Sequence, residues 1–470
     1  MLFNSFEFAL FLPIVFCIYW LLCNKRLRYQ NLLLLVSSYI FYGWWDWRFL
    51  ILIIFSSFID YSVGLQLNKT KQKEKRQLLM WLSILMNLGF LGFFKYYNFF
   101  AESFSDAFTF FGNSIDVNRL NIILPVGISF YTFQTLSYTI DVYRNKLKPT
   151  TDPVAFFAFV SFFPQLVAGP IERASTLLPQ FSKKRKFIYG TAIDGIQQII
   201  WGLFKKIVIA DNCAQYVNDI FQNYTQYSSL TLLLGVIYFS FQIYADFSGY
   251  SDIAIGVSKL FGFKLMTNFN YPYFSKNIGE FWQKWHISLS TWFKDYVYIP
   301  LGGNRGNKYK RIRNTFLVFI ISGFWHGANW TFIVWGCLNA VLFLPQIYKK
   351  KSLTYPEKNT TIVVFKMIIT YTLISFTWIF FRANNLTDAL QYIYRLFMFP
   401  LKIERLEIFR FSFELIPLII LLIFLEWNSR FKEHPLSSKR FNYFKSIGII
   451  ILILVFGSFS SIQDFIYFQF

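Results

Sequence analysis

Two histidines in apolar sequence are the residues best suited to carry chemistry. The 470-residue chain contains three histidines, and both His286 and His326 directly follow a tryptophan within an apolar stretch. A neutral buried imidazole has a lone pair that can accept the proton of a hydroxyl group. The pair therefore predicts general-base chemistry on a hydroxyl. The alternative, that each imidazole is a structural residue hydrogen-bonded between helices, stays open on sequence alone.

The surroundings of the histidines suggest how each is placed. Helical spacing predicts that Trp282, Trp285, His286 and Leu289 share one face of a helix. In contrast, His434 lies in the charged segment RFKEHPLSSKR and is predicted to be a solvated residue.

The stretch from Tyr238 to Gly327 is apolar and aromatic, yet it contains many ionisable residues, glycines and prolines. Ionisable groups at membrane depth usually face a cavity, and broken helices are tolerated there only when buried in protein or lining such a cavity. We therefore expect the functional centre here. The predicted tunnel-lining residues are Asp246, Ser248, Tyr250, Trp285, Trp325 and Asn329. For Asp246 and the neighbouring Asp252, a helix break stabilised by side-chain caps is an equally good interpretation.

A glycine turn followed by basic residues could bind phosphate groups. Gly302 and Gly303 precede Arg305, Lys308 and Arg311, and backbone amides of such a turn with nearby cations suit an anion. An ordinary cytoplasmic anchor is the alternative, and it is slightly favoured. The four cysteines form no C-x-x-C pair, which argues against a zinc site or a disulfide framework.

The elements that must position these residues are membrane helices. Hydrophobic residues make up 55% of the chain and charged residues only 15%, whereas soluble domains have about 25% charged residues. Blocks such as Ile220–Ala245 and Asn314–Tyr348 contain no charged residue and are at least as long as the ~20 residues that a membrane helix needs. The longer block could hold two short spans or a re-entrant pair. We read Phe8–Cys23 as a retained membrane helix.

Charge distribution predicts the orientation. The net charge of +21 fits the positive-inside rule better than nucleic-acid binding, although it could also attract an anionic lipid or a phosphate-bearing substrate. Asp211–Leu230 lacks Lys and Arg and should face outward, as should the N-terminus. Arg382–Arg410 resists the scheme because it has five basic residues; a re-entrant run or an amphipathic interfacial helix would explain it. The clusters predicted to be cytoplasmic include Lys69–Arg76, Lys183–Lys186, Arg305–Arg313 and Lys349–Lys351.

Four long segments resemble the membrane-bound O-acyltransferase family: Gly169–Phe181, Ala245–Phe263, Asn268–Arg305 and Ser322–Gly336. The resemblance is nearest to the bacterial alginate and peptidoglycan O-acetyltransferase branch, and weaker to the D-alanyl transfer protein of teichoic acid modification. It implies one domain over residues 1–470 with a catalytic core at about 121–346. It also implies an all-α fold, a ring of roughly 10–12 tilted and re-entrant membrane helices around a central catalytic tunnel.

The resemblance also implies roles. His326 aligns with the family's principal catalytic histidine, and His286 with a second polar position that would hold the donor carbonyl, orient His326 or assist oxyanion stabilisation. The implied donor is acetyl-CoA or another acyl thioester, with no tightly bound cofactor and no metal. The implied acceptor is an extracytoplasmic polysaccharide, reached through a periplasmic acetyltransferase partner, in a bacterial cell membrane. The alternatives are D-alanyl transfer, a polysaccharide exporter without acyl chemistry, or an assembly scaffold.

Overall fold

The protein is an all-α, polytopic membrane protein, as predicted. A computed structural model describes residues 1–110, 112, 119–167, 169–348, 360–398, 415–437, 442–459 and 465–466, and the regular structure within these ranges is helical. Five helical stretches in them are long and apolar enough to cross a membrane: Arg48–Lys69, Lys73–Phe110, Ser229–Leu260, Trp330–Tyr348 and Thr360–Arg382. The number of spans and the ring around a tunnel stay predictions.

The chain forms two compact units, the first made of residues 1–195 and 254–266. Its helices are α1 (Phe6–Cys17), α2 (Leu27–Asp46), α3 (Arg48–Lys69), α4 (Lys73–Leu91), α5 (Tyr97–Phe110), α6 (Ile128–Tyr143), α7 (Pro153–Val160), α8 (Phe163–Leu166) and α9 (Ala174–Phe181). Helix α1 continues as a π-helical turn, Ile18–Leu22, so the predicted N-terminal apolar helix is present.

A buried polar cluster joins α3, α4 and α6 inside the first unit. Asp60 accepts hydrogen bonds from Asn87 Nδ2 at 2.9 Å and Thr139 Oγ1 at 3.1 Å, and also from the Ser83 hydroxyl. Because an unpaired carboxylate would be costly there, these donors let the three helices pack around it.

The second unit contains residues 196–253 and 267–470. Helices α10 (Tyr189–Leu203) and α12 (Ser229–Leu260) have residues in both units. Its other described helices are α11 (Asp211–Gln222), α13 (Ile278–Lys284), α14 (Ile287–Phe293), α15 (Lys308–His326), α16 (Trp330–Tyr348), α17 (Thr360–Arg382), α18 (Leu386–Met398), α19 (Leu415–Asn428) and α20 (Tyr443–Phe456).

The long charge-free block Asn314–Tyr348 is divided between α15 and α16, which pack tightly against each other. An added Cβ at Gly323 would lie 2.2 Å from the Phe332 carbonyl oxygen, and one at Gly336 would lie 2.4 Å from that of Phe319. The two glycines therefore allow the backbones to approach, as small residues do at membrane helix interfaces.

The interpretation of Asp246 and Asp252 as caps of a helix break is wrong, because both lie within the continuous helix α12. Each carboxylate instead pairs with a lysine of the π-helical segment Phe204–Ala210. Lys205 Nζ lies 2.6 Å from Asp252, and Lys206 Nζ lies 2.8 Å from Asp246. Paired charges can be buried where single ones cannot.

Two further predictions need comment. His434 is buried, 1% exposed, so its interpretation as a solvated residue is wrong; the nearby Leu436 is part of the apolar core. Within Arg382–Arg410, α18 is described, whereas residues 399–410 lie outside the described ranges, as do the basic residues Lys349–Lys351. The topology of both segments stays a prediction.

Candidate active site

The segment that carries His286 is broken, and the predicted single helical face is wrong. Helix α13 ends at Lys284, Trp285 is extended, and His286 has a left-handed backbone with φ of +43° before α14 begins. Backbone hydrogen bonds to residues 268–270 flank the break: Asn270 N donates to Lys284 O at 3.0 Å, and Ile287 N donates to Asn268 O at 2.9 Å. Non-glycine residues with positive φ often occur at functional sites.

Asn268 fixes the His286 ring. The Asn268 side-chain oxygen, Oδ1, accepts from Ser288 N at 3.3 Å and Ser288 Oγ at 2.8 Å, and it lies 3.1 Å from His286 Nδ1. Its amide nitrogen donates to Ser251 Oγ at 3.1 Å. Since a backbone N–H can only donate, the atom facing Ser288 must be the amide oxygen.

This arrangement favours one tautomer of the neutral His286 ring. An amide oxygen only accepts, so a hydrogen bond between Nδ1 of His286 and Asn268 Oδ1 places the proton on Nδ1. The Ser288 hydroxyl, whose oxygen lies 3.4 Å from Nδ1, donates to Asn268 at the shorter distance of 2.8 Å. The lone pair of the neutral ring is then on Nε2. The ring itself is 1% exposed and packs edge-on against Phe247, with ring centroids 4.6 Å apart.

His326 is the last residue of α15 and lies among aromatic rings. Its centroid is 5.0 Å from that of Trp325, 5.2 Å from Trp335 and 5.3 Å from Phe381, and it is 4% exposed. The Trp325 ring also lies 6.1 Å from the His286 ring. Both imidazoles therefore lie next to the Trp325 indole.

Both histidines line one cavity of about 460 Å³ within the second unit. Its wall is formed mainly by α13, α14 and α15, and includes Trp282, Trp285 and Phe319 as apolar residues and Ser290, Thr291 and Ser322 as hydroxyl-bearing ones. A mostly apolar cavity with a few convergent polar groups is typical of a substrate site. In the described part of the chain, no group of three or more His, Cys, Asp or Glu side chains is arranged to hold a metal ion.

The other predicted tunnel residues lie elsewhere, apart from Trp285, which lines the cavity. Asp246 accepts from Ile466 N at 2.7 Å, and Ser248 accepts from Lys205 at 2.9 Å. The ring of Tyr250 lies 4.8 Å from that of Phe465. Asn329 donates to Asn384 O at 2.7 Å. None of these four residues, nor Trp325, is in the cavity wall, so their predicted tunnel role stays a prediction.

The basic residues predicted to hold donor phosphates surround the turn before α15. Asn304 of this turn lines the cavity, but Arg305, Lys308 and Arg311 do not. Lys308 Nζ instead lies 3.9 Å from the ring centroid of Tyr348. Their role towards the donor stays a prediction.

Sequence reasoning missed Asn268, which is 18 positions before His286. An amide between Thr267 and Phe269, in the aromatic-rich segment TNFNYPYF, is the signal that was available. The sequence marks a polar residue among aromatic ones but does not give its partner, because the contact depends on how residues 268–270 pack against the helix break.

Comparison with known proteins identifies the family to which this chain is similar. The sequence profile of the membrane-bound O-acyltransferase family matches residues 49–383. The chain is 40% identical to the probable alginate O-acetylase AlgI of Pseudomonas aeruginosa over 85% of this chain and 75% of that protein. It is 38% identical to the peptidoglycan O-acetyltransferase of Helicobacter pylori, over 83% and 79% respectively. The teichoic acid D-alanyltransferase of Bacillus subtilis is 32% identical over 56% of this chain and 70% of its own length.

Proposed function

This chain belongs to the membrane-bound O-acyltransferase family and is an O-acyltransferase, and from that premise we propose that it transfers acetyl groups from a cytoplasmic thioester to hydroxyls of an extracytoplasmic polysaccharide. The observation that carries the proposal is one cavity lined by both His286 and His326. The names of the alginate and peptidoglycan relatives support acetyl as the group and a polysaccharide as the acceptor.

The reaction is a direct transfer between two substrates. His326 accepts the proton of the acceptor hydroxyl as its oxygen attacks the carbonyl carbon of the thioester. The carbon–sulfur bond then breaks, and the leaving thiolate takes the proton back from the imidazolium. Holding both substrates in one cavity supplies most of what such a step needs, without a protein nucleophile.

The tautomer of His286 changes the role that the family resemblance suggests for it. A neutral ring with its proton on Nδ1 has only a lone pair at Nε2, so it cannot donate a hydrogen bond to an oxyanion from that atom. It can accept one. A sugar offers neighbouring hydroxyls, and we assign Nε2 of His286 to accept from one while His326 deprotonates the next.

The donor and the partner follow from the same proposal. The donor is acetyl-CoA or another acyl thioester, whose phosphates would meet Arg305 in the glycine turn and Lys308 and Arg311 at the start of α15. In a relayed form of this reaction, a hydroxyl of an extracytoplasmic transferase would take the place of the sugar hydroxyl at His326, and that partner would then pass the acetyl group to the polymer. A bacterial cell membrane would hold the whole assembly.

The test is acetyl transfer by the purified protein in proteoliposomes, with labelled acetyl-CoA on one side and a soluble alginate or peptidoglycan fragment on the other. We expect His326→Ala to lower the rate by about 10²–10⁴-fold, the usual worth of a general base. His434→Gln is the control, because His434 is also buried but lies outside the cavity wall. Its rate should stay close to that of the unmodified protein.

Three outcomes would contradict the proposal. Unchanged transfer by a folded His326→Ala protein would remove the general base. Transfer of D-alanine but not acetyl from matched carrier-protein thioesters would instead place this chain with its teichoic acid relatives. Movement of polysaccharide across the bilayer without ester formation would support the exporter alternative.

A further inference from the structure

A basic pocket lies within the first unit, where α9, the start of α10 and the end of α12 meet. It has a volume of about 410 Å³ and shares no residue with the wall of the histidine cavity. The cationic residues in its wall are Lys183, Lys184, Arg185, Lys186, Lys259 and Lys264.

The pocket has a fixed backbone frame. Gly262, with φ of +78°, ends α12 in a turn that sends the chain back past α9. The Gln180 side chain then binds the returning segment by two hydrogen bonds: it donates to Lys264 O and accepts from Lys264 N, both at 2.9 Å. The lysines on each side of the pocket are therefore presented by anchored segments.

Two of the cations are already engaged by the protein. The Arg185 guanidinium is buried, donates to Asn31 Oδ1 at 2.7 Å, and stacks over Phe263 at 4.7 Å. Lys259 Nζ pairs with Asp194 at 2.5 Å. The other four lysines, which are Lys183, Lys184, Lys186 and Lys264, are exposed and make no side-chain ion pair within the described ranges. Their ammonium groups remain available to an anion.

The rim of the pocket is apolar and exposed. The Trp20 indole N–H donates to Leu260 O at 3.0 Å, and its ring meets that of Phe187 at 5.5 Å. Beside these residues, Leu21 and Ile188 are 78% and 63% exposed, respectively. Tryptophan favours the membrane interface, and exposed aliphatic side chains next to it suit hydrocarbon. A free phosphate would use the lysines but not this rim.

We propose that this pocket binds the phosphate head group of an anionic phospholipid from the cytoplasmic leaflet. The four available lysines neutralise the head group, and the acyl chains lie along Leu21, Phe187 and Ile188. An amphiphile is the ligand class that matches a cluster of ammonium groups bordered by exposed apolar residues. The positive-inside rule places the Lys183–Lys186 cluster on the side where such lipids carry their charge.

Native mass spectrometry of the full chain, released from membranes of equimolar phosphatidylglycerol and phosphatidylcholine, tests the proposal. We expect one phosphatidylglycerol to be retained by the unmodified protein. The variant K183Q/K184Q/K186Q/K264Q should bind it about tenfold more weakly or worse, because four attractive charges are lost. The matched control K69Q/K71Q/K73Q/K75Q removes four exposed lysines from another cytoplasmic cluster and should retain the lipid.

The remaining outcomes are equally decisive. Equal loss of bound phosphatidylglycerol in both quadruple variants would mean that the lipid binds through overall charge and that this pocket is not its binding site. Displacement by millimolar inorganic phosphate, with equal binding of phosphate in detergent alone, would make the site one for free phosphate and overturn the lipid assignment. Unfolding is monitored by thermal denaturation. If the pocket variant does not fold, the single variants K184Q and K264Q carry the test, and unchanged retention in both would overturn the proposal.

Discussion

At the scale of single residues, the hydrogen bond from His286 to Asn268 makes a sharp prediction. Asn268→Leu removes the acceptor of the Nδ1 proton and leaves a buried donor unpaired, which costs about 1–3 kcal/mol. If the reactive orientation of the His286 ring is destabilised by this free energy, the transfer rate should drop by roughly tenfold to hundredfold. The measurement is the acetyl transfer rate at saturating donor, together with its pH profile.

A conservative substitution distinguishes a role of Asn268 in positioning His286 from a role in folding. Asn268→Asp keeps an acceptor oxygen opposite Nδ1 and should recover much of the rate. Ser251→Ala removes only the partner of the Asn268 amide nitrogen, so it should leave the rate nearly unchanged. If Asn268→Leu and Ser251→Ala lose activity equally, the amide has a structural role and the tautomer assignment loses its support.

The two histidines should act as a unit. Because both line one cavity, the double variant His286→Ala, His326→Ala should be scarcely slower than His326→Ala alone, as residues with a shared task are strongly non-additive. A double-mutant cycle of transfer rates measures this non-additivity. If the two losses simply multiply, His286 works independently, and the interpretation of it as a structural imidazole is the better one.

At the scale of elements, the contact between α15 and α16 determines where His326 lies. Gly323 precedes the histidine by about one helical turn, and a Cβ there would lie 2.2 Å from the Phe332 carbonyl oxygen. Gly323→Ala should therefore separate the two helices, destabilise the protein by about 1–3 kcal/mol, and lower activity by more than the loss of folded protein explains. Thermal denaturation and transfer rate are measured on the same sample.

A glycine with open space around its Cα serves as the control for Gly323→Ala. A Cβ at Gly448 of α20 would meet no atom of the described residues within 4 Å. Gly448→Ala should be neutral or should stabilise the helix by up to about 1 kcal/mol. Equal destabilisation by both substitutions would mean that helix propensity, and not the close approach of α15 and α16, determines the effect.

At the scale of the whole molecule, the distribution of charge predicts the orientation in the membrane. In a chain whose four cysteines are replaced by alanine, we expect Gln72→Cys and Tyr309→Cys to resist an impermeant thiol reagent in intact cells and to react after lysis. Both positions are exposed. Thr225→Cys, in the segment without Lys or Arg, should react in intact cells. Labelling of Gln72→Cys or Tyr309→Cys from outside would reverse the proposed side of donor entry.

Much of this molecule is determined by composition and local pattern. The membrane class follows from the length and spacing of uncharged blocks, because a helix crosses hydrocarbon only if it is mostly apolar and reaches a minimum length. The two candidate histidines also stand out in sequence, since few residue types can accept a proton near neutral pH and the chain has only three imidazoles. Neither conclusion requires knowledge of long-range contacts.

Only the tertiary structure decides how these residues meet. Helical periodicity cannot predict that α13 ends before His286, because the break depends on backbone hydrogen bonds from Asn270 N to Lys284 O and from Ile287 N to Asn268 O, whose partners lie outside the helix. In the same way, Asp246 and Asp252 suggest a helix break until Lys205 and Lys206 are seen to neutralise them. Local pattern reports burial and secondary structure, whereas the partner that satisfies a buried polar group is chosen by the fold.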